Sequence, residues 1–377
     1  LLSTSLLGCS NSSDEKNKGA SDSGSDVIKI GVFEPMTGTS AAGGEMTVEG
    51  IKLANEMKGE VLSKKVKLVV VNNKSDKVEA ANAASRLIEK DKVAAIIGSY
   101  DSSLSMAAGD IVKNAKVPAV GCSPTNPLVT LNNDYYFRVC FIDPFQGTVM
   151  ANYAFKELGA KKAAIIQDVT RDYSVGLSKY FVDAFKKLTG DDNSIVGVTS
   201  YNTGDQDFSA QLTNVKGLNP EVIFAPGNYG ESALLIKQAR DLGIKIPILG
   251  GDTWEAPEFI QIGGKAVEGA VFSTHFTAEA PVTEMSTKFL EAYKNKYNKD
   301  ANAFSALGFD AYMVILDAIE RANSTDPEKI RDAIASTKDF VGATGNITLD
   351  ENGDAVKSAV IKKVSNGEFK YLTTVEP

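Results

Sequence analysis

Two short apolar runs, residues 94–97 and 117–120, each end in a cluster of hydroxyls. Ser99-Tyr100-Asp101-Ser102-Ser103 follows the first, and Gly121-Cys122-Ser123-Pro124-Thr125-Asn126 follows the second. In an open α/β sheet the carboxyl ends of the strands line the crevice where ligands bind. Ser102 and Ser103 open a helix, where unpaired backbone N–H groups favour an anion. Hydroxyls and N–H groups of this kind suit a small carboxylate. They do not suggest catalysis. The chain has one histidine, His275, and neither a GxSxG nor an HExxH motif, so a nucleophile–base pair or a histidine metal site has no support. There is no GxGxxG turn and no GxxxxGK[ST] loop either, and no cofactor or metal is expected.

These clusters need strands and helices in alternation to position them. Residues 27–33, 66–71, 94–97, 117–120 and 135–141 read as strands, separated by helices at 45–57, 77–89 and 103–114, and Asp76 is placed to cap the second of these. The pattern then begins again. Strands at 162–167, 194–201, 222–226, 246–249 and 266–273 alternate with helices at 174–188, 206–216 and 232–242. Strands spaced by single helices mean βαβ units and parallel sheets. The two series divide near 142–147. Helices at 282–297, 304–323 and 327–336 follow, then a Gly-rich stretch at 340–354. A closing hairpin turns at Asn366-Gly367.

A length of 377 residues predicts roughly two domains. A net charge of −8 argues against nucleic acid as a partner. Residues 1–9, LLSTSLLGC, look like the end of a signal peptide, and Leu6-Leu7-Gly8-Cys9 resembles the bacterial lipobox, whose cysteine carries the lipid. Residues 10–26 hold no apolar run and read as a flexible tether. Leader, cysteine, tether and first strand are in the order of a lipoprotein anchored to the outer face of the bacterial cell membrane. Of the other cysteines, Cys122 and Cys140, an exported protein could make a disulfide. Two buried free thiols are the alternative.

Across 27–375 the sequence resembles the Leu/Ile/Val-type solute-binding proteins of branched-chain amino acid ABC transporters. The resemblance rests on Ile30-Gly31-Val32 with Pro35-Met36-Thr37-Gly38, Ile97-Gly98 with Ser102-Ser103, and Pro124-Thr125-Asn126-Pro127. Asp143-Pro144-Phe145-Gln146-Gly147, Asp207-Phe208-Ser209, Gln238-Ala239-Arg240, Glu268-Gly269 and Phe309-Asp310-Ala311-Tyr312 complete it in order. It implies the α/β type I periplasmic-binding-protein fold: two Rossmann-like lobes with parallel sheets, joined by three crossover strands near 142–146, 273–277 and 341–352. Lobe 1 is then 27–143 plus 276–343, and lobe 2 is 144–275 plus 350–377. The ligand is held between lobes that close on it.

The resemblance also implies roles. Ser102 donates to the ligand carboxylate, Ser123 contributes its backbone, and Thr125 bonds both carboxylate and ammonium. Asp252, where the family has the longer Glu, pairs with the ammonium. Tyr173 packs over the ligand from lobe 2. Asn228 departs from the aromatic residue often found there, and Phe304 is a candidate wall for the ligand side chain. Against these stand plain structural roles: helix and turn caps for Ser102 and Thr125, a turn aspartate for Asp252, a surface tyrosine for Tyr173, a core residue for Phe304. Tyr100 and Trp254 read as packing, and His275 as a structural histidine. The expected activity is capture of an amino acid, branched-chain by resemblance, by a monomeric lipoprotein that delivers it to an ABC permease without any catalysis. The alternative is a sensor of the same fold that binds an amide, urea or another small solute.

Overall fold

The computed structural model describes residues 27–377; the leader, Cys9 and the 10–26 tether lie outside the described residues. Two α/β lobes form, each with a helix-covered sheet. The first sheet holds β1 (Val27–Glu34), β2 (Glu60–Val61), β3 (Lys64–Asn72), β4 (Ala95–Ile97), β5 (Ala119–Gly121) and β6 (Tyr136–Arg138) in the order β2-β3-β1-β4-β5-β6. All its pairings are parallel except that of β2 with β3. The second adds β7 (Ala163–Asp168), β8 (Ile195–Tyr201), β9 (Val222–Phe224), β10 (Ile248–Gly250) and β11 (Val271–Thr274). After a two-stranded ribbon of β12 (Phe340–Gly342) and β13 (Gly345–Ile347), the antiparallel hairpin of β14 (Ala359–Ser365) and β15 (Glu368–Val375) completes the second sheet, in the order β15-β14-β11-β10-β9-β7-β8.

Apolar residues of both sheets face helices on two sides, as buried parallel strands require. In lobe 1, Ile28, Ile30 and Val32 pack against helices Ala41–Met57 and Ala303–Ala322, while Phe33 and Ile96 pack against Lys77–Glu89 and Ser102–Ala115. Asp76 caps its helix as expected, accepting from the N–H groups of Val78 and Glu79. In lobe 2, Ile165 and Phe224 pack against helices Asp143–Asn152 and Asp172–Thr189, and Ile223 and Phe272 against Tyr229–Asp241.

The chain passes between the lobes three times: after β6, after β11 and before β14. The third passage lies later than expected. Ala343, Ile347, Leu349 and Ala355 are all buried in the lobe 1 core, so that lobe extends to 355, not 343, and the passage falls at 356–358. Buried Asp310 explains why. Its carboxylate accepts the N–H groups of Ala343 (2.5 Å) and Thr344 (2.9 Å) and the Thr344 hydroxyl (2.6 Å), fastening the Gly-rich stretch to lobe 1. Arg138 Nε, just before the first passage, lies 2.7 Å from Asp354 Oδ1 beside the third. The strand expected at 266–273 is shortened to β11 because Gly269, at φ +82°, turns the chain ahead of it. Cys122 and Cys140 are buried free thiols, not a disulfide.

Candidate functional site

Each sheet reverses its strand order at one point. In lobe 1 this lies between β1 and β4, and in lobe 2 between β7 and β9. Loops leaving such a point diverge and open a crevice. The loops after β1 and β4 of lobe 1 meet the loops after β7 and β9 of lobe 2 across the gap between lobes.

On the lobe 1 side, Asp101 caps helix Ser102–Ala115 by accepting the Ser103 N–H at 2.8 Å, which leaves Ser102 and Ser103 in the first turn. Ser102 Oγ accepts the Asn126 N–H at 3.1 Å and keeps its own proton to donate. Ser123 Oγ donates to Tyr100 O at 3.0 Å, so its hydroxyl holds the loop and its backbone is what it can offer a ligand. Thr125 Oγ1 is buried with no protein partner. Its carbonyl accepts the Asp143 N–H at 2.9 Å, which ties this loop to the first passage between lobes.

On the lobe 2 side, Asp252 is buried and follows Gly250-Gly251 at the end of β10. Its Oδ1 accepts from Tyr173 Oη (2.8 Å) and Gln146 Nε2 (2.8 Å), and its Oδ2 lies 3.2 Å from His275 Nε2. Gln146 Nε2 also reaches Ser273 Oγ at 3.0 Å. Phe141, from the first passage, covers the His275 ring with centroids 3.9 Å apart. Asp252 is therefore held by groups from three separate segments of the chain. The two glycines are required sterically. A Cβ on Gly250 would lie 2.1 Å from the Trp254 ring, and one on Gly251 would lie 2.2 Å from Tyr173 Oη and 3.1 Å from Gln146 Nε2. Gly251→Ala is expected to displace both donors to Asp252 and weaken ligand binding by roughly tenfold or more. Calorimetry checks this, and unchanged affinity would dissociate these donors from the site.

The wall between these halves is apolar. Met46, Tyr100 and Phe304 of lobe 1 share one buried cluster with Tyr229, Trp254 and Ala256 of lobe 2. Phe304 meets Tyr100 edge-on at 4.8 Å, and Trp254 stacks on Phe259 at 4.8 Å. Burial, then the Asp252 carboxylate, pushes the Tyr100 phenol well above its ordinary value. Asn228 reaches across the gap: its Nδ2 donates to Thr39 O at 2.6 Å, and its Oδ1 is buried without a protein partner. Ser102 and Thr125 thus follow strand ends of lobe 1, Tyr173 and Asp252 follow strand ends of lobe 2, Phe304 lies in the apolar cluster that spans both lobes, and Ser123 and Asn228 hold neighbouring loops.

Sequence reasoning passed over three contributors. Gln146 enters the sequence analysis only as part of the Asp143–Gly147 motif, His275 as a structural residue, and Arg171 not at all. The one available signal for His275 was its place just after β11, at a passage between lobes. Among the described residues no group of three or more His, Cys, Asp or Glu is placed to hold a metal, and no helix is long and apolar enough to cross a membrane.

Comparison with known proteins bears out the fold. Residues 27–368 match the family model described as periplasmic binding protein. The Leu/Ile/Val-binding protein homolog 3 of Brucella melitensis is 31% identical over 333 residues, covering 87% of this chain and 88% of that protein. The leucine-binding protein LivK of Thermotoga maritima has a crystal structure that superposes with a TM-score of 0.90 at 49% identity, covering 93% of this chain and 99% of that one. LivJ of Streptococcus pneumoniae, the substrate-binding protein of a branched-chain amino acid transporter crystallised with isoleucine, gives 0.87 at 33%, covering 93% and 100%. A solute-binding protein of Rhodopseudomonas palustris in complex with benzoate shares the fold at 21% identity, with a TM-score of 0.83 and coverage of 93% and 97%. Two lobes of this topology, the crevice between their switch points and these matches lead to one assignment: the chain belongs to the periplasmic binding protein family, among the homologues of Leu/Ile/Val-binding proteins of ABC transporters.

Proposed function

We propose that the chain is the extracytoplasmic binding component of an ABC importer, that it captures a branched-chain amino acid between two closing lobes, and that it passes the ligand to a permease. The observation that carries the reading is the opposition of charge preferences across the crevice. Lobe 1 presents a helix N-terminus, the Ser102 hydroxyl and the unpartnered Thr125 hydroxyl, which suit an α-carboxylate. Lobe 2 presents buried Asp252, which suits an α-ammonium. The wall of Tyr100, Phe304 and Trp254 suits an aliphatic side chain. Binding proceeds without covalent chemistry, by a monomer tethered through lipid on Cys9.

Asp252 separates this reading from capture of an aromatic acid, an amide or urea. A buried carboxylate facing a ligand without a positive charge is costly. Calorimetry with L-leucine, L-isoleucine, L-valine, benzoate, urea and a simple amide is expected to show heat only for the amino acids. A response confined to benzoate or to the amides would overturn the amino-acid reading.

A further inference from the structure

The three residues Arg171-Asp172-Tyr173 bind three places at once. Arg171 Nη1 donates to Asp101 Oδ2 at 2.5 Å and Nη2 to Thr39 Oγ1 at 2.7 Å, both in lobe 1, while Nε donates to Thr203 Oγ1 at 3.1 Å in lobe 2. The Asp172 N–H donates to Ser103 Oγ at 2.9 Å, and its carbonyl accepts from Asn126 Nδ2 at 2.8 Å. Its carboxylate pairs with exposed Lys77 at 2.9 Å, a contact that water screens. Tyr173 donates to Asp252. One tripeptide of lobe 2 therefore holds the cap of the serine helix, both ligand loops of lobe 1 and the carboxylate proposed for the ammonium.

We infer that Arg171 is a positioning residue that latches the closed lobes through Asp101 and so sets how long a ligand is held. The Arg171 and Asp101 side chains are only 9% and 10% exposed in the closed arrangement, and they belong to different lobes, so opening must separate them. Burial works against the guanidinium charge, yet the carboxylates of Asp101 and Asp168 hold its pKa above the ordinary arginine value. Planar forked donors suit such a site, and a lysine could not satisfy Asp101, Thr39 and Thr203 together. Asp101 also caps the helix bearing Ser102 and Ser103, so the latch pulls on the same turn that faces the ligand carboxylate. Removing one charge leaves the other buried and unpaired whenever the lobes close, and such losses fall on the dissociation rate.

The latch rests on the capture reading above, but it can fail separately. Arg171→Gln removes the guanidinium. Asp101→Asn removes the charge and keeps a good helix cap. Trp254 is the chain's one tryptophan and lies in the cluster that spans both lobes, so its fluorescence can follow L-leucine, L-isoleucine or L-valine in stopped flow. Each single variant is expected to release the amino acid about tenfold to a hundredfold faster, with association nearly unchanged. The double variant should release more slowly than either single one, because no buried charge is then stranded. A purely structural role would instead lower the melting temperature additively and leave release rates alone. Release at wild-type speed in both single variants would overturn the latch while leaving the capture reading intact. If wild type binds none of the three amino acids, the capture reading falls, and the latch is judged by small-angle scattering without ligand. Arg171→Gln is then expected to be more extended than wild type, and equal dimensions would overturn the latch.

Discussion

Asp252→Ala is expected to weaken capture of leucine, isoleucine or valine by about two to four powers of ten. The carboxylate is buried, and loss of one member of a buried charge pair costs about 3–5 kcal/mol. The alanine variant also strips an acceptor from Tyr173 and Gln146 and removes the neighbour of His275, so part of its effect would be structural. Asp252→Asn separates the two. Asparagine keeps an oxygen for Tyr173 and Gln146 but presents no negative charge to an ammonium. Near-native melting with binding almost as weak as in the alanine variant is the expected outcome in calorimetry and thermal denaturation. Undiminished affinity in Asp252→Asn would remove the charge from the ligand site. A ligand lacking a positive charge would bind the asparagine variant as well as wild type or better.

Ser102, Ser123 and Thr125 were legible because alternation of apolar runs and helices puts strand ends on one edge of a parallel sheet, and ligands bind at that edge. Asp76 was legible because a cap acts on the next few residues. Asp252 was legible only through the resemblance, since an aspartate after two glycines is otherwise a turn. Gly250 and Gly251 read locally as turn residues. Their steric reason, the Trp254 ring and the Tyr173 hydroxyl, appears only in three dimensions. Arg171 and Asp101 lie 70 residues apart and belong to different lobes, so no local periodicity relates them. The same holds for the extent of lobe 1. A Gly-rich stretch reads as a linker, and only the Asp310 carboxylate, more than thirty residues upstream, shows that it is fastened down. What local pattern carries is the order of elements and the edge where the site lies. What it does not carry is every contact that crosses between lobes.

Asp143 stands at one such crossing, and Asp143→Asn is expected to stabilise the protein near neutral pH. It opens helix Asp143–Asn152 at the first passage between lobes, fully buried, and neither carboxylate oxygen has a protein partner at hydrogen-bond distance. Burial pushes its pKa up to about 8; the Asp252 charge adds to the rise, while nearby Thr125 and Arg138 oppose it. In the unfolded chain the same group titrates near the ordinary aspartate value of about 3.9. The folded protein therefore keeps a proton that the unfolded chain releases. The group's contribution to stability is complete below about pH 4 and is lost as pH rises from there towards about 8, by up to about 1.4 kcal/mol per pH unit. Asparagine has nearly the same shape and does not titrate. Asp143→Asn is thus expected to match wild type near pH 4 and to exceed it by up to about 4 kcal/mol at pH 7, several degrees in melting temperature. Urea denaturation of both proteins at pH 4.5 and 7.5 checks this, and a gap that stays constant with pH would show that Asp143 titrates as an ordinary carboxylate. A neutral Asp143 also suits the proposed site. It stands next to Thr125, on the lobe 1 side where a carboxylate is expected, and a second anion there would repel it. With that proton held, Asp143 adds no second negative charge beside the carboxylate of Asp252 proposed for the ammonium.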